Sequence, residues 1–175
     1  MEALKQRLEK AITEGIQARQ RYYDSIELEA EQQLGEPAAE TSIQKLESVL
    51  GAPLPPSYRE FLRIHNGWKE IDGGVDLLPL EELLGATNEH DLSAWKQAAI
   101  DAGDDVAARC LVIGASLITA TKYLLDPAAA SQDGEWPLLQ YHHEIEAEAP
   151  SFIEWLEESV DEYLELAELD MSDDE

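Results

Sequence analysis

At 175 residues the chain is long enough to bury one full hydrophobic core. A hydrophobic share of 44% with four Trp argues against a disordered acidic chain, and no apolar run approaches the roughly 20 residues of a membrane span. The formal net charge of −26 argues against direct contact with nucleic acid phosphates or anionic lipid.

The apolar positions Leu4, Leu8, Ile12, Ile16, Tyr23, Ile26, Ala30 and Leu34 predict one long helix, or two abutting ones, over residues 2–34. Gly35 and Pro37 close it. Its stripe either packs on the rest of the chain or pairs with a second copy in a homodimer. Thr41 with Gln44, and Ser57 with Glu60, have the spacing of capping boxes for two further helices. Gly51 stops the first of these, and Asn66-Gly67 in the left-handed conformation ends the second. Lys69–Ile71 and Val75–Leu78, joined by Gly73-Gly74, predict a hairpin. A helical turn follows from Pro79 to Leu84, and a helix over Asp91–Ala102 places Leu92, Trp95 and Ala99 on one side. Strands are predicted at Arg109–Ala115, Ile118–Leu125 and Trp136–His142. A last helix after Pro150-Ser151 buries Phe152, Trp155, Leu156, Val160, Tyr163 and Leu164. The acidic tail 170–175 reads as frayed. This order predicts an α+β fold: an N-terminal helical extension (1–38), one domain of mostly antiparallel sheet packed with helices (39–169), and the tail.

Charge is spread unevenly. All 12 Lys and Arg lie at or before Lys122, whereas residues 123–175 hold 17 Asp and Glu and no basic residue. Such a surface steers a basic partner toward it, or serves solubility alone. The carboxylates on the last helix call for nearby cations, either from the basic start of the first helix or from a partner.

Motifs for chemistry are absent. There is no Cys-x-x-Cys, His-Glu-x-x-His, Gly-x-Ser-x-Gly or phosphate-cradling glycine loop, so no catalytic, metal or cofactor residues are assigned. His142 and His143, as neighbours on a strand, would point to opposite faces. The single cysteine, Cys110, sits in an apolar run and reads as a core thiol. The opening residues lack the apolar stretch of a signal peptide, so a cytoplasmic location is expected.

Leu50-Gly51, Leu54-Pro55, Tyr58, Phe61-Leu62 and Asn66-Gly67 form a spaced series. With Leu77-Leu78-Pro79-Leu80-Glu81-Glu82-Leu83, Leu111-Val112-Ile113-Gly114 and Phe152-Ile-Glu-Trp-Leu156, it resembles the SUKH superfamily, in particular its Smi/Knr-type branch, over about Ile43 to Leu164. The segment Ala115-Ser-Leu-Ile-Thr119 departs from the Gly- and Asp-rich turn usual there, and the first helix is an extension. The resemblance implies an α+β domain that binds proteins, commonly an immunity protein against a toxin, and brings no catalytic residues. With the charge, it predicts a non-enzymatic inhibitor of a basic, nuclease-like toxin. The candidate contact residues are Trp68, Glu70, Asp72, Asp76, Asp133, Glu135, Trp136 and Tyr141. The alternative is an intracellular adaptor or regulatory subunit that dimerises or docks through residues 2–34.

Overall fold

The computed structural model describes residues 2–29 and 31–172. Seven strands form one antiparallel sheet in chain order, each pairing with the next: β1 (Gln33–Leu34), β2 (Trp68–Asp72), β3 (Val75–Leu77), β4 (Leu111–Ser116), β5 (Lys122–Leu125), β6 (Leu138–Tyr141) and β7 (Ile145–Ala149). The helices are α1 (Glu2–Ser25), α2 (Glu40–Leu50), α3 (Pro56–Ile64), α4 (Leu80–Leu83), α5 (Leu92–Ala102), α6 (Asp105–Arg109) and α7 (Phe152–Ser172). The fold is a single α+β domain.

The middle strands are apolar at consecutive positions because both faces of the sheet are covered. Ile113, Tyr123, Leu125 and Leu138 face α1, α3 and α7, joining Leu8, Ile12, Tyr58, Phe61, Phe152, Trp155 and Leu156. Val112, Ala115, Leu124, Leu139 and Tyr141 face the other way, against Ala99 of α5 and Ala107 of α6. The cleft described below lies at the β1–β3 end of the sheet, beside α4.

The first helix ends at Ser25, nine residues before the predicted Leu34. Ile26 and Glu27 form a turn, with Glu27 at φ 55°, and Gln33–Leu34 pair instead with Trp68–Lys69. Periodicity did continue through this stretch, but strand pairing offered the backbone more than an exposed acidic helix end could. Ala30 lies outside the described residues. The stripe of α1 packs within the chain, on α7, through Leu8, Ala11, Ile12 and Ala18. Arg7 makes the expected cation contact: its Nε and Nη2 donate to Glu157 at 2.6 and 2.5 Å. Lys5 and Lys10 pair with Glu9 and Glu14 of their own helix.

Neither capping box forms. Helix α2 begins at Glu40, one residue before Thr41, and the Glu40 carboxylate is taken by Arg59 and Arg63 at 2.5 and 3.0 Å, which holds it down at about 2. Helix α3 begins at Pro56. The Ser57 amide and hydroxyl donate to Glu135 at 2.9 and 2.7 Å, so a carboxylate from the loop before β6 satisfies the helix N-terminus. At the end of α3, Gly67 alone takes positive φ (94°), and His65 is extended.

The strand predicted over Arg109–Ala115 is β4, but Arg109 itself closes α6, a helix that the sequence reading lacks, as it lacks β7. Between β4 and β5 the hairpin forms without glycine, because the Ser116 hydroxyl accepts from the Ile118 and Thr119 amides at 3.1 Å each. His142 and His143 stand in the β6–β7 turn, not on a strand, and their rings lie 5.1 Å apart. The backbone of α7 runs to Ser172, and residues 173–175 of the predicted tail lie outside the described residues.

Candidate functional site

On the sheet face that α5 and α6 leave open, a cleft of about 440 Å³ runs between β1, the β2–β3 hairpin and α4. Leu34, Leu78 and Pro79 supply apolar wall. Asp76, Glu81, Glu82 and Glu89 supply four carboxylates, against Lys69 and the imidazole of His90.

The backbone around this cleft is brought together by Asn66. Its Oδ1 accepts from the Leu80 amide at 2.8 Å, capping α4, and its Nδ2 donates to Glu81 at 2.9 Å. Its own amide donates to Glu36 O at 2.8 Å. The Gly35 amide donates to Gly67 O at 3.0 Å, and a side chain at Gly35 would place its Cβ 2.2 Å from Asn66 O. Glycine is therefore what allows β1 to approach so closely.

Asp76 does two things. Its Oδ1 accepts from the Glu70 amide at 2.7 Å and so holds a bulge in β2, where Glu70 stands at φ 53°. The bulge lets Trp68 and Ile71 both reach the core. Its Oδ2 lies 3.6 Å from His90 Nε2. On the other side of that imidazole, Nδ1 lies 3.1 Å from each oxygen of Glu82, which also accepts from the His90 amide at 2.6 Å. Glu82 and His90 side chains are each 3% exposed. An ionised carboxylate only accepts, so Nδ1 is the donor toward Glu82. Nε2 meets no hydrogen-bond partner among the described residues.

The eight predicted contact residues do not form one patch. Trp68 and Asp76 line the cleft. Trp68 is nonetheless 1% exposed, with its ring in the core beside Arg19. Glu70 lies on the same hairpin, half-buried. Asp72 is half-buried and accepts from the hydroxyls of Tyr123 and Tyr163. Asp133 is exposed in the loop before β6, whereas Glu135 is committed to Ser57. Trp136 and Tyr141 are buried, and the Tyr141 hydroxyl donates to Asp104 at 2.5 Å.

Asn66, Glu81, Glu82, Glu89 and His90 were not singled out as site residues. Asn66 was read as a helix exit, and Glu81-Glu82 as part of a turn. The pairing of His90 with Glu82 depends on how the connection after α4 folds back, and no spacing signals it. Among the described residues no group of three or more His, Cys, Asp or Glu side chains is arranged to hold a metal ion. The cleft offers carboxylate acceptors and apolar wall.

No curated protein matches the chain. The SMI1 / KNR4 family (SUKH-1) model matches residues 37–158, from the residues before α2 into the first part of α7, with α1 outside the match. That span holds the Leu50-Gly51 to Asn66-Gly67 series and six of the seven strands in full, over well more than half the sequence; this chain belongs to the SMI1/KNR4 family (SUKH-1).

Proposed function

We propose that the chain is a non-enzymatic immunity-type inhibitor that binds a basic, nuclease-like toxin in the cytoplasm and covers its active site. The family supports a protein-interaction role, immunity or regulatory, in general. The observation that carries the finer reading is the acidic cleft on a chain of net charge −26. A nuclease presents cations to its phosphate substrate, and a carboxylate-rich surface competes for them and speeds encounter at low salt. The adaptor reading, with docking through residues 2–34, has less support: the apolar stripe of α1 is buried on α7.

Affinity capture of the tagged protein from its native host at low salt tests this. Recovery of one basic protein, released by raised salt and inhibited when the purified chain is added back, is the expected result. Recovery of the chain alone, or of a partner indifferent to salt, overturns it.

A further inference from the structure

Asp76 and His90 meet at the inner end of the cleft. Asp76 Oδ2 and His90 Nε2 are 3.6 Å apart, and Nε2, on a side chain 3% exposed, meets no hydrogen-bond partner among the described residues. An entering N–H finds the Asp76 carboxylate as its acceptor at this end of the cleft. Outside them, Glu81 and Glu89 are exposed carboxylates on the cleft wall, and Leu34 and Pro79 offer apolar surface on the way in.

We infer that this cleft takes an arginine or lysine side chain of the partner protein, with its aliphatic stem along Leu34 and Pro79 and its cationic head among Asp76, Glu81 and Glu89 in front of His90. The match is to the whole side chain: a long apolar stem ending in N–H donors fits a slot that is apolar at its walls and acceptor-rich at its end. The volume of about 440 Å³ is that of a pocket for one such group, not of a broad interface. The inference rests on the proposed protein-binding role, and it supplies the anchor for it.

The test uses the full-length ¹⁵N-labelled chain and three blocked amino acids: N-acetyl-arginine methylamide, its lysine counterpart, and the uncharged citrulline counterpart. The cationic probes are expected to shift the amides of Gly67, Lys69, Thr87 and the imidazole nitrogens of His90, with millimolar dissociation constants. Citrulline is expected to leave these signals in place. In E81Q/E89Q, whose side chains keep their length and one acceptor oxygen each but lose their charge, cation binding is expected to weaken at least fivefold while the spectrum stays that of the folded protein. Equal shifts from citrulline, no shift at His90 under saturating arginine probe, or unchanged binding by the folded E81Q/E89Q protein overturns the inference. Cation binding at the cleft by a chain that captures no basic protein removes the proposed function and leaves the cleft assigned. A captured toxin whose affinity ignores E81Q/E89Q removes the cleft and leaves the function.

Discussion

The guanidinium of Arg19 on α1 lies over the ring of Tyr163 on α7, 4.6 Å from its centroid. The side chain is fully buried, and no carboxylate among the described residues pairs with it. It donates instead to Ile71 O, to Gly15 O at 3.2 Å and to the Ser159 hydroxyl at 3.0 Å, with Trp68 on its other side at 5.4 Å. One residue thus joins the first helix, the second strand and the last helix. Arg19→Ala leaves a cavity and three polar groups without their donor, and it is expected to cost about 2–4 kcal/mol in urea unfolding. Arg19→Lys, which keeps the charge but loses the planar fork, should fall between. By contrast, Arg7→Ala removes only an exposed pair with Glu157 and should cost at most about 1 kcal/mol, shrinking in high salt.

Asp133 and Glu135 are two residues apart in one loop but behave as opposites. Asp133→Lys changes an exposed side chain and should leave stability within about 0.5 kcal/mol. Glu135→Lys takes away the acceptor for the Ser57 amide and hydroxyl, and should cost about 1–2 kcal/mol, as loss of a helix cap does. Thermal melts of the two single variants check this. A binding defect in Asp133→Lys is then interpretable as surface charge, whereas one in Glu135→Lys mixes charge with loss of the cap.

Two depressed aspartates contribute to acid sensitivity. The Arg109 guanidinium, donating at 2.9 and 2.6 Å, holds Asp126 below the usual aspartate value, with the Ala128 amide assisting. The Tyr141 hydroxyl, followed by the Ala107 amide, does the same for Asp104. In both cases the folded-state pKa lies below the unfolded value near 3.8. Their contribution is therefore complete above that value and is lost as the pH falls through the lower folded values. Asp126→Asn should lower stability near neutral pH and flatten the decline below about pH 4, seen as urea midpoints across the acid range.

Cys110 sits against Val112, Ala107 and Leu124, and burial pushes its thiol up to about 12. The thiolate is the reactive form, so modification by a thiol reagent at pH 8 should be slow in the native protein and complete on unfolding in urea. Rapid labelling of the folded chain would show that this side of the sheet opens.

Much of the fold was readable because its elements announce themselves locally. The β2–β3 hairpin follows from Gly73-Gly74 between apolar runs, and α5 and α7 from stripes that end in a glycine or start after Pro150-Ser151. What failed was wherever a distant group took over a local role. Ser57 was paired by sequence with Glu60 and is served by Glu135 instead. Asn66 was expected to turn the chain and instead lends its amide to α4 and Glu81. β7 escaped because Ile145–Ala149 alternates weakly at an exposed edge, where Glu146 and Glu148 suit a strand that must not recruit another. The candidate site was legible only in part. Asp76 was named for its place on a hairpin, but His90 beside it enters through a fold-back that no periodicity encodes.

The packing of α1 on α7 has a consequence for how the protein is made. The first helix leaves the ribosome with Leu8, Ile12, Ala18 and Arg19 uncovered, and its main cover, α7, is translated only after the whole sheet. At ordinary elongation rates that wait is on the order of ten seconds. During it the nascent chain carries an apolar stripe beside a buried-to-be cation, a form that holding chaperones recognise and that a truncated product never escapes.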